Sequence, residues 1–283
     1  MFDRRRALTE VFLDTQNYYL ENAELHAAVK HSIDNTVLYR EGDALSLPTT
    51  QKEGEVVVTK HKTFEAAMLY KREHPQDRVA VLNFASAVNP GGGVKRGSSA
   101  QEESLCRCSI LYPTLNQKFL WDAYYSKNRA AKNVLHTDDC IWSPDVVICK
   151  TDEHIPQRME SKDWVTVDVI SCAAPNLRQE PGNAYNPEGG AAVHVSDQEL
   201  TELHLRRAKQ ILSVAASHEV DCLILGAFGC GAFMNNPRTV ASAYREALKM
   251  YRGYFKRIEF AVYCRRYETE NYDAFRASLA VYC

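Results

Sequence analysis

The chain has 283 residues, 45% of them apolar and 25% charged, with a formal net charge of −2. That length buries a sizeable core in one large domain or two small ones, and the ordinary globular balance excludes long disorder. The near-neutral charge excludes a general footprint for nucleic acid, so any phosphate-bearing ligand has to sit in a local pocket. The nine cysteines are an odd number in a chain too large to need staples. Cys149, Cys222 and Cys264 lie in apolar runs, where a free thiol packs as a small hydrophobe. No Cys-x-x-Cys occurs, and Cys106-x-Cys108 has no second pair to complete a zinc site. No stretch approaches transmembrane length, and Met1-Phe-Asp-Arg-Arg-Arg leads into a charged amphipathic pattern rather than an apolar signal core. The expected setting is reducing and cytoplasmic, with no membrane partner.

Residues 4–33 carry apolar residues at helical spacing, with Leu8, Val11, Phe12 and Tyr19 as the inward face. This reads as two helices broken near Glu21-Asn22, a helical extension over residues 1–35 ahead of a main domain over 36–283. Residues 36–39 form a short strand and residues 55–59 a second. Thr63 is placed to cap a helix running to Glu73. Val79-Ala80-Val81-Leu82 reads as a buried strand. Past the loop that follows, a helix opens at Gln101 and should stop near Tyr112-Pro113, because proline cannot continue it. Another begins around Asn116 with Phe119, Leu120 and Tyr124. Residues 146–149 make a short strand and 164–172 a longer one. Residues 177–194 are rich in Pro, Gly, Asn and Glu without a period, a loop of the length that is usually functional or disordered. Ser196-Asp-Gln-Glu199 is a capping box opening a helix to about His218. Residues 221–225 form a buried strand, Asn235-Asn236-Pro237 opens the next helix, and a strand over 258–263 and a helix from Asn271 close the chain. Strand and helix alternate, so the class is α/β with one central, mixed sheet flanked by helices.

Two glycine-rich loops leave strands and enter helices. The first runs from Asn83-Phe84-Ala85-Ser86 through Asn89-Pro90 and Gly91-Gly92-Gly93 to Gln101-Glu102-Glu103. The second is Gly226-Ala-Phe-Gly229-Cys230-Gly231-Ala-Phe233. Backbone N–H groups without side chains in the way, at a helix N-terminus, make an anion cradle, and the second loop suits a diphosphate. It lacks the Lys-Ser/Thr of a P-loop, and its glycine order is wrong for a dinucleotide fingerprint. Either loop alone is read as a tight turn; the pair, with acids on the first, points to a phosphate-bearing ligand. Glu102 and Glu103 by themselves fit an acidic first turn favoured by the helix dipole. Adjacent helical side chains diverge by roughly 100°, so the two carboxylates cannot do the same job. Phe228 reads as core and Phe233 as a surface for packing on a sugar. No histidine pair has ligand spacing, and neither a metal nor a cofactor follows from the sequence.

Gly-Gly-Gly, seven residues, then Gln-Glu-Glu, with Asn83-Phe84-Ala85-Ser86 and Asn89-Pro90 ahead of it, resembles the signature of the poly(ADP-ribose) glycohydrolases, and the bacterial-type branch most. The resemblance covers residue 36 to the C-terminus, most specifically 83–113 and 226–237. It implies a macrodomain, with ADP-ribose held in a cleft at the strand ends and poly(ADP-ribose), attached to protein, as substrate. It also implies that Glu103 is catalytic, with Glu102 and Gln101 in support and Asn89 against a ribose. Glu103 would protonate the leaving oxygen at the anomeric carbon and then take a proton from the attacking water. Gly91, Gly92, Gly93, Gly226, Gly229, Cys230, Gly231 and Phe233 complete the expected binding set, with Tyr263 stacking on adenine. Two other readings stay open. One is hydrolysis of mono-ADP-ribose from a side chain or nucleic acid; the other is a module that binds ADP-ribose without turning it over, against which intact Gln101-Glu102-Glu103 argues.

Overall fold

In the computed structural model, residues 3–52, 54–182 and 190–282 are described. Residues 183–189 of the loop expected over 177–194 therefore lie outside the described residues. Helices α1 (Arg4–Glu21) and α2 (Ala23–Asp34) are divided by Asn22, which ends the first and caps the second by accepting from the N–H groups of Glu24 and Leu25. Leu8, Phe12 and Tyr19 are buried as expected, while Val11 is only partly covered. Burial of each large apolar side chain contributes about 1.5–3 kcal/mol. Polar ties add to this seat: the buried Lys150 donates to Val11 O at 2.9 Å and pairs with Asp14, and Thr15 Oγ1 donates to Arg107 O at 2.6 Å.

Strands β1 (Val37–Tyr39) and β2 (Glu55–Thr59) precede α3 (Thr63–Glu73). Thr63 is not the cap of α3. Lys62 occupies that position and its N–H donates to Glu65 at 3.0 Å, which leaves the Thr63 hydroxyl free to accept from Gln101. Strand β3 (Val79–Phe84) leads through the first glycine loop to α4 (Gln101–Cys108). Helix α4 stops earlier than the proline suggested. Ser109 turns to extended backbone, pairs with Ile148, and its hydroxyl donates to Leu105 O. Pro113 then falls in the first turn of a separate helix, α5 (Leu111–Leu115), where its missing N–H costs nothing.

The helix expected near Asn116 is α6 (Lys118–Leu120), a π-helical turn over Trp121–Tyr125, and α7 (Ser126–Ala131). Strand β4 (Cys140–Ile148) is longer than expected. Pro144 and Asp145 interrupt its apolar pattern at a bulge, and Asp145 takes φ 53° with its N–H held by Asp168. Strand β5 (Val165–Cys172) follows. The Ser196 box then opens α8 (Asp197–Ser217), with Ser196 and Glu199 bonding reciprocally. Strand β6 (Cys222–Leu225), α9 (Pro237–Tyr251) with Asn236 as cap, β7 (Arg257–Ala261) and α10 (Glu270–Leu279) complete the chain.

The seven strands form one sheet in the order β1-β4-β5-β3-β6-β7-β2, antiparallel at β1–β4 and β4–β5 and parallel elsewhere. Period-two alternation divides the core between its faces. Val79 and Val81 point toward the layer holding α1 to α7, and Ala80 and Leu82 toward α8 to α10. Strand β3 sits at the centre, with β5 on one side and β6 on the other. The chain leaves β3 and β6 on opposite sides of a crevice at their carboxyl ends, where open α/β sheets hold ligands.

Candidate active site

Both glycine loops open into one cleft of about 910 Å³, near the upper end for small-molecule sites. The first loop is fastened to α4 by the three residues that open the helix. The Gln101 amide is used three times within the protein: it accepts from Phe84 N at 2.8 Å and donates to Leu82 O at 2.7 Å and Thr63 Oγ1 at 3.0 Å. Gln101 borders the cleft, but these bonds strap the helix to the strand end.

Glu102 and Glu103 are both buried, and they diverge as helical geometry requires. Glu102 turns toward β3, accepting from Ser86 N at 2.8 Å and from Asn83 Nδ2 at 3.4 Å. Burial, and after it the charge of Glu103, pushes the Glu102 carboxyl well above the ordinary carboxylate range. Glu103 turns toward the triple glycine and accepts from Gly93 N at 2.8 Å through Oε1. Its Oε2 is buried without a hydrogen-bond partner. Gly92 makes this arrangement sterically feasible. A Cβ there would stand 2.5 Å from Glu103 Oε1 and 3.0 Å from Glu102 Oε2, and its φ of +57° favours glycine again.

Of the remaining expected residues, Asn89, Gly92, Gly93, Gly229, Gly231, Phe233 and Tyr263 line the cleft. Gly91, Gly226 and Cys230 do not. Gly91 is buried against Tyr112, Val94 and Cys106; Gly226 lies against the Ala261 carbonyl and the Phe84 ring; Cys230 turns its thiol toward Phe228 O. These three shape the loops from behind. Phe228 is core, with its ring centroid 5.6 Å from that of Phe84. Tyr263 lies just beyond β7 rather than within it and is exposed at the cleft edge, with Lys62 Nζ 5.9 Å from its ring centroid.

Several residues in and behind the cleft have a role there that the sequence does not signal. Asn235 holds the second loop in shape, donating to Pro175 O, Gly229 O and Phe233 O while its Oδ1 meets His204 Nε2 at 2.8 Å. The Phe233 ring is flanked by the Arg178 guanidinium at 5.4 Å and by His136 at 6.3 Å. Burial lowers the His136 pKa to about 3, so the ring is neutral near neutral pH. Arg129 braces Asn89 and Val88 O from α7. Arg4 and Arg5 of α1 reach the cleft wall, because Gly97 lets the helix backbone close onto the first loop. A Cβ on Gly97 would lie 2.1 Å from Arg5 O. Among the described residues no group of three or more His, Cys, Asp or Glu side chains could hold a metal ion, and no helix is long and apolar enough to cross a membrane.

A mixed sheet between two helical layers, with its ligand cleft at the strand ends beside two glycine loops, defines a macrodomain-like α/β protein. Residues 7–151 match the model of the microbial-type PARG (poly(ADP-ribose) glycohydrolase) catalytic domain, and the chain belongs to that family. Among solved structures it is similar to the poly(ADP-ribose) glycohydrolase of Thermomonospora curvata bound to the inhibitor ADP-HPD. That match has 27% identity and a TM-score of 0.78, and covers 96% of this chain and 99% of that one. It is also similar to the poly(ADP-ribose) glycohydrolase of Deinococcus radiodurans in complex with ADP-ribose, at 33% identity and a TM-score of 0.72, covering 90% and 98% of the two chains. No curated protein matches the sequence.

Proposed function

We infer that this protein hydrolyses the ribose O-glycosidic bonds of poly(ADP-ribose) and releases ADP-ribose, with Glu103 as general acid and base. Family membership supports the activity, and one observation carries the choice of residue. Glu103 is the cleft carboxylate with one oxygen fixed by loop backbone and the other buried without a partner. The free oxygen is available to a substrate. Its proton passes to the leaving oxygen as the bond to the anomeric carbon breaks. Water then attacks that carbon, and its proton returns to the Glu103 carboxylate.

Glu102 has a different task. Both of its oxygens already face donors, and a carboxyl fixed in this way and pushed up by burial orients a ribose hydroxyl rather than driving proton transfer. Loop backbone at Gly229 and Gly231 receives the diphosphate, Phe233 packs on the ribose, and Tyr263 stacks on the adenine. The two N-terminal helices belong to the same working unit, because α1 closes one side of the cleft.

The test is incubation with auto-modified polymerase followed by identification of the product. Release of free ADP-ribose from long chains is the expected result. Chains left intact, or removal of only the protein-linked unit, contradict the reading.

A further inference from the structure

The N-terminus of α1 breaks a local rule. The helix dipole favours acids in a first turn, yet this one begins Arg4-Arg5-Arg6 and has no acid within it. Asp3 caps it from outside, accepting from Arg5 N at 3.1 Å and Arg6 N at 3.2 Å, and Arg6 pairs with Glu10 at 2.9 Å. Among the described residues the Arg4 and Arg5 guanidiniums have no ion-pair partner, and both stand on the wall of the cleft that holds Glu102 and Glu103.

A second, independent feature lies directly beneath them. Arg107 follows Glu103 by one helical turn on α4 and is 3% exposed. Its Nη1 donates to Ser98 O, but its Nε is buried with no partner. Burial lowers the Arg107 pKa, the neighbouring Glu103 carboxylate offsets this only in part, and the nearby Arg4 adds to the lowering. A guanidinium buried with a vacant donor under two unpaired ones is a costly arrangement unless an anion joins it. Ser98 fixes its place relative to the reacting carboxylate: a Cβ on Gly93 would lie 2.2 Å from Ser98 Oγ and 3.5 Å from Glu103 Oε1. The cationic cluster is therefore beside the Glu103 end of the cleft, on the α1 side.

We propose that Arg4 and Arg5, backed by Arg107, form a subsite for the diphosphate of the ADP-ribose unit adjoining the one released. The proposal rests on the glycohydrolase reading, since only a polymer brings a second diphosphate to the cleft. Such a subsite would let a protein with no general basic surface distinguish a polymer from a single unit, by gripping one neighbouring unit rather than a long polyanion.

The test compares the parent with the double variant Arg4→Ala/Arg5→Ala on two substrates. One is poly(ADP-ribose) of defined length; the other is ADP-ribose joined through its anomeric oxygen to an uncharged phenol. The double variant should lose about five- to tenfold in kcat/KM on the polymer, the size two exposed charge contacts reach together. It should stay within about twofold of the parent on the phenol conjugate, and polymer turnover should lose part of its salt dependence. Equal losses on both substrates, or no loss on the polymer, overturn the subsite. A parallel binding titration with labelled polymer keeps the two readings apart. If the parent hydrolyses neither substrate, the glycohydrolase reading fails, and the subsite is still decided by whether the double variant binds polymer more weakly than the parent.

Discussion

The backbone N–H of Gly93 donates to Glu103 Oε1 at 2.8 Å, ten residues along the chain from the carboxylate it holds. That bond makes the triple glycine and the acid a single unit. The loop supplies a fixed N–H dipole to one oxygen and leaves the other buried without a hydrogen-bond partner. Proton transfer needs such a fixed geometry more than it needs a flexible carboxylate.

Gly231 and Gly97 should fail in opposite ways when enlarged. A Cβ at Gly231 meets nothing within 4 Å, and its φ lies outside the left-handed region, so Gly231→Val should fold normally. It should weaken ADP-ribose binding roughly tenfold or more if backbone approaches the diphosphate there. Gly97→Val should instead lower the melting temperature, because its φ is +68° and Arg5 O lies 2.1 Å from the new Cβ. Calorimetric binding and thermal melting of both variants check this. Parental affinity in Gly231→Val removes the second loop from the diphosphate site.

Glu102 gives a pH signature. Its folded-state pKa is raised above the unfolded value, so the folded protein binds more protons in the interval between the two. The stability this contributes is present below the unfolded pKa and is lost as pH rises toward and through the folded one. Glu102→Gln does not ionise and still accepts from Ser86 N. Its melting temperature relative to the parent should therefore climb as pH rises above the ordinary carboxylate range. A constant difference over that rise would show that burial of this carboxyl has no such effect.

Affinity for the free product should reside in the diphosphate and adenosine parts. Calorimetry with ADP-ribose against ribose 5-phosphate measures this, and equal affinities would contradict the roles given to the second loop and Tyr263. Hydrolysis should survive exhaustive chelation, since no cluster of metal-ligating side chains is present among the described residues. Loss of activity restored by a divalent ion would overturn that expectation.

Much of this architecture was legible in the chain because its signals are local. The Ser196 box and the Asn236-Pro237 start each satisfy their own helix end within a few residues. The continuous apolar run Val79-Ala80-Val81-Leu82 needed no partner strand to be recognised as a buried strand. What stayed hidden depends on distant contacts. The first half of β4 is masked by Pro144 and a positive φ at Asp145, which only pairing with β5 and Asp168 makes acceptable. Gly91 and Gly226 look like ligand-facing glycines, but side chains and backbone from elsewhere in the fold occupy the space. Nothing local to Arg107 or Lys150 signals burial, yet both are buried beside the seat of α1. A sequence shows that a residue lacks a side chain or carries a charge; it does not show what packs against it.

The most direct measurement is turnover of poly(ADP-ribose) by Glu103→Gln beside Glu102→Gln, with ADP-ribose binding measured on the same preparations. Glutamine keeps the shape of Glu103 and can still accept from Gly93 N, but it transfers no proton. The account predicts that Glu103→Gln loses roughly 10²–10⁴-fold or more in rate while binding ADP-ribose at least as well as the parent. Glu102→Gln should lose less, because an amide oxygen can still accept the bond that orients a ribose hydroxyl. Parental turnover in Glu103→Gln would contradict the central claim.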